Sequence, residues 1–272
     1  MTIQLLSEGA YRSYLEPLPD AGIEASHRAR VWFGDGPLHE AYVKLYPETN
    51  HGLVNEITGH LLAASLGLRV PERAAVIFVP KRSVPDLPAW AQALPGHSIP
   101  GWCTLDMMAP SLHFPLSTET HGRLGLRPFL LEELRQADEV ARIIAFDDWI
   151  ANVDRHLGNL LRVGKRRYLL IDHGQIFGGT GWSAATLLGT NIPYRNDLSD
   201  ALAPESQTPG YRARLAQEAR DNHGPALTRA RASLLDWWMK LLDEPQRAAA
   251  AKFLDDRTHE SQICERYQML PL

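Results

Sequence analysis

Asn152-Val153-Asp154-Arg155-His156-Leu157-Gly158-Asn159, followed further on by Ile171-Asp172-His173-Gly174, carries more information about this chain than any other part of it. An aspartate, four intervening residues, an asparagine and then an aspartate closing an apolar run is the order in which a phosphoryl-transfer centre sets out its catalytic loop and metal ligands. Such chemistry needs a carboxylate beside the attacking hydroxyl, a role open to Asp154. It also needs oxygen ligands that hold magnesium against the β- and γ-phosphates, a role open to Asn159 and Asp172. Taken alone, Asp172 with Gly174 close behind reads equally well as a turn. The combination is harder to dismiss, because Asp154 and Asn159 stand among Trp149, Ile150, Leu160 and Leu161, and polar groups in apolar company require partners. Arg155 and His156 read as organisers of the loop, with His156 a buried, satisfied imidazole, since the chemistry needs no second base beside Asp154. His173 either lines the cleft or merely follows the strand; magnesium's preference for oxygen argues against ligation.

Working outward, Asp138 to Ile150 places Val140, Ile143, Ile144 and Ile150 at helical spacing, with Asp138 as candidate N-cap. Leu160–Val163 and Tyr168–Asp172, separated by a turn at Gly164, read as a small hairpin with Asp172 ending its buried second arm. Phe177-Gly178-Gly179-Thr180-Gly181-Trp182 is either a mobile, activation-type loop or a passive connection. Leu227, Leu234, Leu235, Trp238, Leu241 and Leu242 mark a late helix that Pro245 follows, and a further helix is expected near 246–254.

Towards the N-terminus, Arg28–Phe33 and Leu38–Tyr46 flank Gly34-Asp35-Gly36 as a hairpin, which puts Lys44 inside a strand. Leu53, Val54, Ile57, Leu61, Leu62 and Leu66 recur at helical spacing up to Gly67, with Glu56 in the first turn. A strand ammonium can reach α- and β-phosphates and a helix glutamate can hold it in place, although Glu40 and Glu48 are alternatives to Glu56. The plainer reading is a lysine snorkelling to water and a glutamate favoured by the helix dipole. Ala74–Val79 reads as a buried strand, Gly101–Met108 as another, and the proline-rich stretch between Pro80 and Pro100 as a surface insertion.

Asn-x-Asp-Arg-His-x-x-Asn with Ile-Asp-His-Gly resembles the signature shared by HipA-like kinases and phosphoinositide kinases, and the run from Ala41 to Pro71 is similar to the N-lobe of compact HipA-like proteins. The resemblance spans about 40 to 180. It implies an α+β, bilobal, protein-kinase-like fold, with a small β-rich N-lobe over 1–108 and a mainly helical C-lobe over 109–272. It implies ATP and Mg2+ as cofactors, Asp154 as base, Asn159 and Asp172 as metal ligands, Lys44 and Glu56 at the phosphates, and His156 beside them. No GxGxxG precedes Lys44, so the phosphate-covering loop is sought in Asp20–His27, where Gly22 and Ser26 are the candidates. HipA toxins carry a serine in this loop whose phosphorylation silences them, and the resemblance makes Ser26 the candidate for that role.

The resemblance implies a protein Ser/Thr kinase with an unidentified protein substrate and an antitoxin-like regulator as a possible partner; a lipid or small-molecule kinase and a noncatalytic nucleotide-binding module are the alternatives. A net charge of -4, from 28 basic and 32 acidic residues among 272, gives no basic excess to recommend nucleic acid or anionic membrane as partner. Cys103 and Cys264, far apart, suggest neither a disulfide framework nor a zinc site. A start without a signal sequence and the lack of any apolar run of spanning length complete the expectation of a cytoplasmic protein.

Overall fold

The computed structural model describes residues 2–18, 25–112, 126–188 and 191–269. The chain opens with β1 (Gln4–Leu6), β2 (Tyr11–Pro17), β3 (His27–Val31) and β4 (His39–Leu45), then α1 (Gly52–Ser65), β5 (Ala74–Pro80), α2 (Ala89–Ala93) and β6 (Ser98–Leu105). The strands form one six-stranded sheet in the order β1-β5-β6-β4-β3-β2, antiparallel except where β1 runs parallel to β5. The expected hairpin is β3–β4, with Ala29 opposite Ala41, and it continues into β6, which sets Lys44 opposite Trp102.

Period-two alternation divides the faces of this sheet. Ala41, Val43 and Leu45 of β4 are fully buried on one face with Val31, Ile77, Ile99 and Cys103. Tyr42 and Lys44 point to the other, where the functional cleft lies. The proline-rich stretch is not a surface insertion: Val84, Leu87 and Ala91 are buried against the first face, so this segment caps one side of the sheet.

The remainder is mainly helical. α3 (Leu126–Arg135) and α4 (Asp138–Trp149) precede the two-stranded pair β7 (Leu160–Gly164) and β8 (Arg167–Leu170). After these come α5 (Ala184–Leu187), α6 (Asp197–Ala201), α7 (Pro209–Leu241), α8 (Glu244–Asp256) and α9 (Glu260–Tyr267). Asp138 is not the N-cap of α4: Ala137 occupies that position without a side-chain bond, and Asp138 lies in the first turn, where a carboxylate complements the helix dipole. Asp172 does not end β8, which stops at Leu170. The late helix begins well before Leu227 and runs through Pro225.

Though it lies between β4 and β5 in sequence, α1 shares its core with the helical part. Val54, Ile57, Leu61 and Leu62 join one cluster with Ile143, Phe146, Leu227 and Leu234. The indole of Trp238 on α7 donates to Thr58 Oγ1 at 2.9 Å, and Arg229 donates to the Ser65 carbonyl at 2.7 Å. No helix among the described residues is long and apolar enough to cross a membrane.

Candidate active site

A cavity of about 240 Å³ opens between the sheet and the β7–β8 pair. Leu18, Leu161 and Leu170 give it apolar walls, and Leu105, Asp106 and Met107, at and just beyond the end of β6, also line it. Its inner end is polar, and there Lys44, Glu56 and Asp172 converge. Lys44 Nζ lies 2.9 Å from Glu56 Oε1 and 2.7 Å from Asp172 Oδ1, so one ammonium joins strand, helix and the loop after β8.

Glu56 is fully buried and its carboxylate is saturated from several sides. Besides Lys44, Oε1 accepts from the Tyr46 hydroxyl at 2.9 Å, and Oε2 accepts from the His173 N–H at 2.9 Å. A buried carboxylate is tolerable only when paired and hydrogen-bonded in this way. The two alternatives to Glu56 are elsewhere: Glu40 pairs with Arg28, and Glu48 is exposed. α1 approaches the loop so closely that a Cβ on Gly59 would stand 2.3 Å from His173 Cβ, which is why a glycine interrupts this helix.

The segment quoted at the outset is built around a buried ion pair. Arg155 and Asp147 are both wholly inaccessible, with Arg155 Nε 3.2 and 3.1 Å from the two carboxylate oxygens. The rest of the guanidinium donates to the carbonyls of Asn159 at 3.3 Å and Ile171 at 2.7 Å and to His173 Nδ1 at 3.2 Å. Arg155 thus ties together the loops bearing Asp154, Asn159 and Asp172. Asp147 also accepts from Asn152 at 3.0 Å and Asn196 at 3.3 Å. Burial raises its carboxyl above the ordinary range, while the charge and hydrogen bonds of Arg155 and those two amides pull it back.

His156 departs from expectation. It is not buried: nearly half its side chain is exposed, as is that of Asp154, and its Nδ1 accepts from the Gly158 N–H at 2.9 Å. Of the two histidines in the quoted motif it is His173 that is buried, and with His60 it lines the cavity. Burial, reinforced by the charges of Arg155, His60 and Lys44, holds His173 well below its ordinary range. It is therefore neutral, and since Nδ1 accepts from Arg155, Nε2 carries the hydrogen.

Partial burial raises Asp154, with the Asp172 and Asp197 carboxylates adding to the effect and His156 and Arg155 opposing it. The shift suits a proton acceptor. For Asp172 burial alone would act the same way, but the charge and hydrogen bond of Lys44, with Arg155 and the Gly174 N–H, outweigh it and hold the group below the usual carboxylate range. Its backbone is left-handed, φ 61°, a conformation aspartate tolerates better than most residues.

The donor set fits magnesium. Asn159 commits its amide nitrogen to the Asp154 carbonyl at 2.8 Å, leaving its oxygen as the side chain's acceptor, and Asp172 is ionised. Among the described residues no group of three or more His, Cys, Asp or Glu side chains could hold a metal ion.

Ser26 is buried just before β3 and does not line the cavity; Gly22 lies outside the described residues. Sequence reasoning passed over Tyr42, Trp102 and Thr104 on the cleft face of the sheet, although their alternation with Val43 and Cys103 was a usable signal. It also missed Asp147, an acid embedded in the apolar run of α4, and Asn55, fully buried beside Glu56.

No family model matches the chain, and no curated protein matches it. Among solved structures it is similar to the Helicobacter pylori proinflammatory kinase CtkA, with a TM-score of 0.52 and 14% identity over 98% of this chain and 97% of that one. The fold is bilobal and kinase-like. At that identity the likeness concerns architecture, covering the sheet, the cleft and the helical part alike.

Proposed function

We propose that this chain is an ATP-dependent phosphotransferase that delivers the γ-phosphoryl group to an alcohol, of the HipA-like type and with a protein Ser or Thr hydroxyl as acceptor. The observation that carries the reading is Lys44 held between Glu56 and Asp172 at the inner end of the cavity. The kinase-like fold and the spacing of Asp154, Asn159 and Asp172 support it.

In this reading the base lies against Leu18, Leu161 and Leu170 beside the backbone of Leu105 to Met107, and Lys44 meets the α- and β-phosphates. Magnesium, when bound, offsets phosphate charge; Asn159 and Asp172 would hold it. Asp154 orients the acceptor hydroxyl and takes its proton, and its raised affinity for protons assists that step. Asp154 does not line the cavity and nearly half of its side chain is exposed, so a hydroxyl on a large partner can reach it from solvent without entering the cavity. This favours a protein acceptor over one that must be enclosed.

The test is radiolabelled ATP with magnesium, purified protein and lysate acceptors. Asp172→Ala should abolish magnesium-dependent nucleotide binding. Asp154→Asn should retain binding and lose transfer by roughly 10²- to 10⁴-fold, the usual worth of general base catalysis. Undiminished transfer in both variants would overturn the reading, and a wild type that binds ATP without any transfer or turnover would make it a nucleotide-binding module.

A further inference from the structure

Asn55 stands one residue before Glu56 on α1, is wholly buried, and belongs to none of the roles assigned above. Its amide nitrogen donates to three carbonyls of the segment after Asp172: Gly174 at 2.7 Å, Ile176 at 3.2 Å and Gly179 at 3.1 Å. Its oxygen accepts from the Trp182 indole at 2.9 Å. Trp182 in turn stacks on His51, ring centroids 4.0 Å apart, and the His51 N–H donates to the Thr180 carbonyl at 2.8 Å. On its other side the segment is pinned to the end of α4, with Phe177 and Gly178 donating to the carbonyls of Ile150 and Ala151 at 2.8 and 2.9 Å.

The glycine-rich stretch that reads in sequence as a mobile loop or a passive connection is therefore a strap wound round the first turns of α1, with one asparagine at its centre. An amide has only two N–H groups, so three carbonyls converging on it must share them. No apolar side chain could take its place without leaving buried acceptors unpartnered. The direct bond from the His173 N–H to Glu56 fixes the start of the same segment.

We infer that Asn55 is a positioning residue: by clamping the 174–182 strap to α1 it sets Asp172 relative to the Lys44–Glu56 pair, and so sets the affinity of the site for its divalent cation. This rests on the phosphotransfer reading. Asn55 touches neither nucleotide nor metal and acts through Gly174 and the backbone beside it.

The test compares wild type, Asn55→Ala and Trp182→Phe for the magnesium concentration that half-saturates ATP turnover, with hydrogen exchange of 174–182 measured in parallel on folded protein. Asn55→Ala should raise the half-saturating magnesium concentration on the order of 10- to 100-fold, the range for outer-sphere residues of metal sites, and speed exchange in the strap. Trp182→Phe, which removes one donor and keeps the ring stack, should shift both in the same direction by less. A role in stability alone would lower the rate at every magnesium concentration and leave the midpoint in place. If Asn55→Ala does not fold, Asn55→Asp, which keeps the shape and the acceptor for Trp182 but removes both N–H donors, carries the same expectation. Unchanged midpoints in active variants would overturn this inference alone. A wild type that neither binds nor turns over magnesium-ATP would overturn the phosphotransfer reading and this inference with it.

Discussion

Replacing Asp147 by alanine should damage the protein more than any single change at the mouth of the cleft. The substitution leaves the Arg155 guanidinium wholly buried without its carboxylate, and strips Asn152 and Asn196 of an acceptor. Breaking a buried pair by removing one partner costs roughly 3–5 kcal/mol. Against a total stability of about 5–15 kcal/mol, that is at least about a fifth of what holds such a chain folded. In a protein of this size each kcal/mol lowers Tm by roughly 2–4 °C, so the fall should lie between about 6 and 20 °C. Calorimetry at neutral pH measures it directly. The double variant Asp147→Ala/Arg155→Met should recover part of the loss, because it removes the stranded charge along with its partner. It should not recover activity, since the bonds from Arg155 to Asn159, Ile171 and His173 go with it. A Tm within about 2 °C of wild type, less than the shift expected of a single kcal/mol, or a double variant whose loss is the sum of the two single losses, would refute the argument.

Gly59→Ala should destabilise although alanine is the better helix former by about 1 kcal/mol, because its Cβ would meet His173 Cβ at 2.3 Å and overpacking of this kind costs roughly 1–3 kcal/mol; a raised Tm would show that α1 and the loop do not press together. His223 is stacked on Trp149, and burial drops its pKa to about 3. A depressed histidine gives stability that is present above the unfolded value of about 6.5 and is lost as pH falls toward 3, at about 1.4 kcal/mol per unit. His223→Phe should keep the stack and flatten that acid slope by one group's share in urea melts; an unchanged slope between about pH 6 and 4, within that linkage window, would refute the assignment.

What could be read beforehand was what is local in the chain. The β3–β4 hairpin and α1 announce themselves through a turn, a period and a glycine stop, and the order of Asp154, Asn159 and Asp172 is a matter of spacing within one stretch. β1 was not legible, because three residues carry no period and its partner β5 lies some 70 positions away, Gln4 pairing with Ala75. Alternation sets Tyr42 and Thr104 opposite to Val43 and Cys103 on their own strands, but that the two share one cleft follows only once β4 and β6 are known to be neighbours. The apolar residues from Leu227 to Leu242 marked only the second half of α7; that the helix starts at Pro209 and runs through Pro225 depends on its packing on α1, α4 and α8. Arg155 could be named as an organiser; that it does so buried, from a carboxylate on α4, is a tertiary fact.

The union of α1 with α7 bears on how the chain is made. Trp238, which donates to Thr58 within the helix that carries Glu56, is synthesised about 180 residues after that glutamate, a delay of roughly 10–40 s at ordinary rates of translation. Until then Ile57, Leu61 and Leu62 have no completed surface to bury against, and a nascent chain presents them to solvent or to whatever chaperone is at hand. A fragment ending at Met108 would lack that surface altogether, so the glutamate's helix depends for its full burial on a helix made long after it.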